Sequence, residues 1–183
     1  MTKRDIITLP DPILRKPSAP VERVDDAVRA LMDDMLETMY DAPGVGLAAV
    51  QLAIPRRVIV MDVNYRSGDE EGEEENGEVA KAPICMVNPE ILSRGDEMRI
   101  HEEGCLSIPE FYAEIERSAK ITVRYIDRAG KQQERECEGM LATVVQHEVD
   151  HINGKLFIDY LSRLKRDRVI KKFVKADKGE EVA

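Results

Sequence analysis

The chain is poor in cysteine, in long apolar runs and in positive charge, and each shortage removes a class of protein. Its 183 residues hold three cysteines, Cys85, Cys105 and Cys137. An odd number of thiols argues against a disulfide framework and points to a reducing, cytoplasmic setting. Residues Met1 to Asp5 run into a short apolar pair and then Pro10, so neither a secretory signal nor an Arg/Ser-rich transit segment is expected there. No stretch approaches the roughly 18 consecutive apolar residues of a spanning helix, and no membrane is expected as a partner. Acidic residues outnumber basic ones by 36 to 27, a net charge of −9. That balance argues against general binding to nucleic acid and against specific DNA recognition.

What is present is the material of a core. With 43 % hydrophobic and 34 % charged residues, the chain has enough Val, Ile, Leu and Met to offset the entropy of ordering. Its length suits one domain at about 150 residues each. Val24, Val28, Leu31, Met35 and Met39 recur at helical spacing, and Pro43-Gly44 ends that helix. Arg57 to Val63 reads as a strand. So do Ile84 to Val87, Glu97 to His101, Ile121 to Ile126 and Gln132 to Cys137, with a hairpin turn at Ala129-Gly130. Residues 69–78 hold seven acids, two glycines and an asparagine, and read as a solvated loop. Two helices follow, Met140 to His151 and about Tyr160 to Lys175. Strands grouped between helices predict an α+β fold: antiparallel or mixed sheets around a central helix, with an N-terminal and a C-terminal helix.

The sharpest chemical signal is His147-Glu148-Val149-Asp150-His151. Two histidines four apart on a helix point the same way and can reach one metal ion, while Glu148 can sit beside a water on that ion as general base. Met140, Val144, His147 and His151 form one stripe, and Leu141, Val145 and Ile152 a second. A catalytic site of this kind needs a third ligand. The metzincin pattern would place it at 157, which is Phe157, and the later Glu180 and Glu181 lie in the tail. Cys105, in Glu103-Gly104-Cys105-Leu106-Ser107, is the leading candidate, since a thiolate binds softer divalent metals well. Cys85 and Cys137 read as small buried hydrophobes. A third segment, Gly44-Val45-Gly46-Leu47-Ala48-Ala49-Val50-Gln51, lets backbone approach closely and offers the Gln51 amide to a carbonyl oxygen.

Together these three segments resemble the signature of the peptide deformylases, over roughly residues 5–163. The resemblance implies removal of the formyl group from the N-terminal formyl-methionine of nascent polypeptides. It implies one Fe(II) per chain, with zinc, nickel or cobalt as substitutes, held by Cys105, His147 and His151. Glu148 becomes the general base and acid, and the Leu106 N–H and Gln51 amide the oxyanion donors. Gly46 would bond the substrate amide, with Val45, Gly104, Met140 and Val144 also contacting substrate. The sequence departs from many relatives at three places. Tyr112 stands where an arginine is common, His101 replaces an aliphatic residue and reads as a surface group in preference to one at the pocket rim, and 69–78 is an insertion. The competing readings are a metallopeptidase cleaving internal peptide bonds, which calls for a His or Glu third ligand, and a non-enzymatic ribosome-associated protein with a structural metal.

Residues 163–178 carry eight Lys/Arg and two Asp inside an acidic chain. The expected division is a metallohydrolase domain at 1–162 and a basic C-terminal helix and tail at 163–183. The basic side chains, and the family resemblance, suggest docking on the ribosome near the exit tunnel.

Overall fold

The computed structural model describes residues 2–64 and 81–179, with short strand segments at 74–75 and 78–79. The acidic stretch 69–78 falls largely outside the described residues, as do Glu180 and Glu181.

Helix α1 spans Asp26–Asp41 and starts where the Asp25 side chain accepts the Val28 N–H at 3.0 Å. This cap moves the start two residues beyond Val24, where apolar spacing alone had put it. After Pro43 come β1 (Gly46–Ala48), a 3-10 turn at Ala49–Leu52 and β2 (Val58–Met61). Then follow β3 (Glu74–Glu75), β4 (Glu78–Val79), β5 (Ile84–Arg94), β6 (Met98–Cys105), β7 (Ile108–Ser118), β8 (Lys120–Ile126) and β9 (Gln132–Glu138). Helix α2 is Gly139–Ile152, a 3-10 turn occupies Phe157–Tyr160, and α3 is Arg163–Asp177. The fold is α+β, as the grouping of strands between helices predicted.

Strands β1-β2-β5-β8-β9 form one antiparallel sheet in that order, and β6 and β7 form a separate hairpin. Strand alternation builds two cores from one sheet. Leu47, Val58, Val60 and Val87 face α1 and its Val28, Leu31, Met32, Met35 and Met39. Ala48, Ile59, Met61 and Met86 face the other way and pack with Ala142, Val145, Val149 and Ile152 of α2. The opposite side of α2 meets the β6–β7 hairpin, so α2 is enclosed between sheet and hairpin. A third cluster joins Ile108, Ile115, Leu156, Phe157 and Val169.

Several elements differ from the sequence expectation. Strand β5 does not stop at Val87; it continues through a bulge, where Asn88 takes φ 49° and its side chain bonds the Val21 backbone in both directions at 2.8 Å. Strand β7 was not expected, because its run of glutamates buries few apolar side chains. The helix expected from Tyr160 to Lys175 is divided at Leu161-Ser162, with the Ser162 hydroxyl accepting from Lys165 N–H at 3.4 Å to begin α3. Cys137 is buried and Cys85 partly so, and burial raises both thiols above their ordinary pKa, as suits core residues.

Met35 is fully buried in the α1–sheet seam. Met35→Ala is expected to cost about 2–5 kcal/mol in urea unfolding. A loss below about 1 kcal/mol would show that this seam repacks or carries little of the stability.

Candidate active site

Helix α2 delivers His147 and His151 to one face, their ring centroids 5.0 Å apart and edge to face. The end of β6 delivers Cys105, whose Sγ lies 3.2 Å from His151 Nε2. The three possible ligand atoms of Cys105, His147 and His151 all lie within 4.8 Å of one another. Neither histidine is a surface group: His147 is 9 % exposed and His151 1 %. One soft sulfur and two imidazoles suit a borderline transition metal and are a poor match for magnesium or calcium, which take oxygen ligands. The donor set therefore fits a single divalent transition-metal ion.

Glu148 is buried beside the triad, and its Oε2 bonds none of the described residues. Burial, the dominant cause, raises this carboxyl to about 7. Gly46 of β1 lies so close that a Cβ there would come 2.5 Å from Glu148 Oε1 and 2.8 Å from Val144 Cγ1. Only glycine lets this edge strand approach the acid. Gln51 is held at both ends: its Oε1 accepts the Ala48 N–H at 2.8 Å, and its Nε2 donates to Ser107 Oγ at 3.1 Å. The same Nε2 is 3.7 Å from Cys105 Sγ.

These groups line a cleft of about 1130 Å³. Its wall includes Gln51, Cys105, Leu106, His147 and Glu148, and also Val45, Gly46, Gly104, Met140 and Val144. His151 lies behind that wall. Met140 is 47 % exposed and sits at the cleft mouth rather than deep within it. His101 is part-buried and lines the cleft, in keeping with the pocket-rim reading and against the preferred surface one, because it shares a strand face with Glu103 and Cys105. Tyr112 is 65 % exposed, its ring laid across Gly104 where a Cβ would meet it at 2.6 Å.

Sequence reasoning missed the groups that hold the triad in place. Glu103 Oε2 is 2.8 Å from His147 Nδ1. With Nδ1 bonded there, Nε2 is the nitrogen left free to bind. Arg117 of β7 donates to Glu103 Oε2 at 3.0 Å and to Asp150 Oδ2 at 2.8 Å, all three residues being buried. Burial would raise the Glu103 carboxyl, but the bonds from His147 and Arg117 outweigh it and hold the pKa below its ordinary value. Burial would likewise lower Arg117, and its two carboxylate partners reverse the sign. Burial, then the neighbouring His147, pushes His151 well below its ordinary value and favours a neutral donor. Glu103 was within reach of sequence reasoning, since it lies two residues before Cys105 and so on the same strand face. Nothing local marked Arg117.

The polypeptide deformylase family model matches residues 3–167. A peptide deformylase of Rhizobium meliloti is 56 % identical over 178 residues, spanning 97 % of this chain and 96 % of its own. The chain belongs to the polypeptide deformylase family. The crystal structure of the Ehrlichia chaffeensis peptide deformylase superposes with a TM-score of 0.86 at 40 % identity, covering 97 % of this chain and 98 % of the other. The same enzyme in complex with actinonin gives 0.84 at 41 %, with the same coverage. The chain is thus a hydrolase that removes the N-formyl group from nascent peptides, in a family of metalloenzymes. The metallopeptidase and the non-enzymatic readings are not supported.

Removing Arg117 would strand two buried carboxylates. Arg117→Leu is expected to destabilise the chain by about 3–5 kcal/mol in chemical denaturation. An effect near zero would mean that water reaches Glu103 and Asp150.

Proposed function

We propose that Cys105, His147 and His151 bind one metal ion per chain, Fe(II) in the native enzyme with zinc, nickel or cobalt able to replace it. When bound, such an ion supplies a Lewis acid that polarises the formyl carbonyl and makes water acidic enough to attack near neutral pH. Glu148 accepts the proton of the attacking water and returns it to the departing amine, and its raised pKa suits a group that must do both. The Leu106 N–H and the Gln51 Nε2 hold the oxygen on which charge develops, each worth about 3–4 kcal/mol when preorganised. The bonds from Ala48 and to Ser107 fix the Gln51 amide before substrate arrives, which supports that role.

Gly46 lies on β1, the edge strand of the large sheet, and an extended peptide can pair with it there. Val45 and Gly104 flank the bound chain, and Val144 and Met140 wall the methionine side chain, whose unbranched thioether adapts to an irregular pocket. Actinonin, held by the Ehrlichia chaffeensis relative, would occupy the same cleft. The single observation that carries this reading is the convergence of one thiol and two imidazoles beside a buried carboxyl. Glu148→Ala should abolish formate release from a formyl-Met peptide while metal content stays near one per chain. Cys105→Ala should lose the metal. An active Glu148→Ala enzyme, or a Cys105→Ala chain with wild-type metal affinity, would overturn the corresponding role.

The proposed setting is the reducing cytoplasm, where Cys105 stays a thiolate ligand. Residues 1–162 form the catalytic part, and the basic helix from 163 docks on the ribosome near the exit tunnel. Val169, Ile170 and Phe173 pack α3 onto the third core cluster. Lys165, Arg168, Lys172 and Lys175 are exposed and spaced to share the outer face. Changing these four to Gln should weaken ribosome binding about tenfold at low salt and flatten its salt dependence, while turnover of a short peptide is retained. Unaltered ribosome affinity would end the docking proposal.

A further inference from the structure

We propose that the 3-10 turn Phe157–Tyr160 is a clamp on His147, with Tyr160 a positioning residue that acts through Asp150, Arg117 and Glu103. The inference rests on the reading of His147 as a metal ligand and goes beyond it, to what keeps that imidazole in register.

The turn reaches His147 by two routes. Phe157 is fully enclosed, and its ring stacks on the His147 imidazole at 5.8 Å between centroids and 29° between planes. That contact limits rotation of the imidazole about its own axis. Tyr160 takes the longer route. Its O–H donates to Asp150 Oδ2 at 2.9 Å, the same oxygen that accepts from Arg117 Nη1 at 2.8 Å. Its ring also covers the guanidinium, with Arg117 Cζ 4.8 Å from the ring centroid. Arg117 in turn holds Glu103, and Glu103 holds His147 Nδ1.

The turn is itself anchored. The Asp159 side chain accepts the Leu156 N–H at 2.9 Å and pairs with Arg15. A planar guanidinium gripped by carboxylates at both ends, with an aromatic ring over it, has little freedom to tilt. Without the phenol, Asp150 Oδ2 keeps one side-chain donor, the guanidinium can swing toward it, and the movement passes to Glu103. Tyr160 is 47 % exposed, so its contribution to the core is small and its fixed phenol calls for another account. Groups that orient a ligating imidazole typically change metal affinity or activity 10–100-fold when removed.

The test uses the full-length chain loaded with Co(II), comparing wild type, Tyr160→Phe, Tyr160→Leu and His147→Ala. Tyr160→Phe is expected to weaken Co(II) affinity about tenfold in chelator competition. It should also shift the thiolate-to-cobalt absorption band and lower kcat on a formyl-Met peptide with KM unchanged. Tyr160→Leu, which also uncovers Arg117, should lose more on each measure. Wild-type affinity and an unshifted band in both Tyr160 variants would overturn the clamp. If His147→Ala keeps Co(II) at wild-type affinity, the ligand reading falls and the clamp with it. If His147→Ala loses the ion and both Tyr160 variants behave as wild type, only the clamp falls.

Discussion

A guanidinium buried between carboxylates on two different elements is the constraint on which the rest of the molecule depends. Arg117 of β7 binds Glu103 on the neighbouring β6 and Asp150 on α2. In a low-dielectric interior such a group is tolerated only when all its partners are in place. The hairpin therefore cannot slide by one residue along α2 without leaving buried charges unpaired. That restriction fixes Cys105, two residues beyond Glu103, opposite the His151 ring. A candidate ligand set drawn from a strand and a helix 42 positions apart in sequence needs some such lock, because helix geometry secures only the two histidines.

The same neighbourhood explains why a divalent cation suits it. Glu103, Glu148 and Asp150 are buried, Cys105 is half-buried, and each can carry negative charge. Among the described residues a single guanidinium, Arg117, bonds to this group. A dication held by the thiolate would bring the local charge close to balance at the point where the three candidate ligand atoms converge. Burial already disfavours ionised Glu148 and raises its carboxyl to about 7, as expected where a charge is taken out of water. The electrostatic demand and the coordination geometry thus point to the same kind of ion.

Much of this was legible in the chain, and what was not has physical causes. His147, Glu148 and His151 lie within one turn and a half of helix, so their spacing alone states their relation. The metal-ligand role proposed for Cys105 could be favoured by eliminating the downstream alternatives, because few residues of the right chemistry remained, and its Sγ does lie beside the two imidazoles. Gly46 and Gln51 stood out as backbone permissiveness beside a lone amide, and the close approach of β1 to Glu148 supplies the reason. Arg117 was not legible, since its partners depend on the β6–β7 register and on how α2 docks. Strand β7 escaped for a related reason: Glu110, Glu114 and Glu116 give it a polar rhythm, and its inner face buries Ile115 and Arg117 rather than an apolar row. At Asn88-Pro89 the sequence signals a break, and the chain makes a bulge instead because the Asn88 amide is tied to Val21.

Helix α2 shows what this arrangement asks of the fold. Eleven of its residues, from Ala142 to Ile152, are buried without interruption, and Gln146, His147, Glu148, Asp150 and His151 are among them. In a helix serving only as a core element those five positions would be aliphatic, and burying polar groups in their place costs stability unless each is bonded. Gln146 is satisfied by the Ser118 and Ala142 carbonyls, and Asp150 by Arg117 and Tyr160. Glu148 Oε2 and His151 Nδ1 are left without a bond from the described residues. Within this helix the incomplete polar bonding among the described residues thus falls on the active-site face. Along the other side of the same helix, Ala142, Val145, Val149 and Ile152 supply the apolar packing that offsets it.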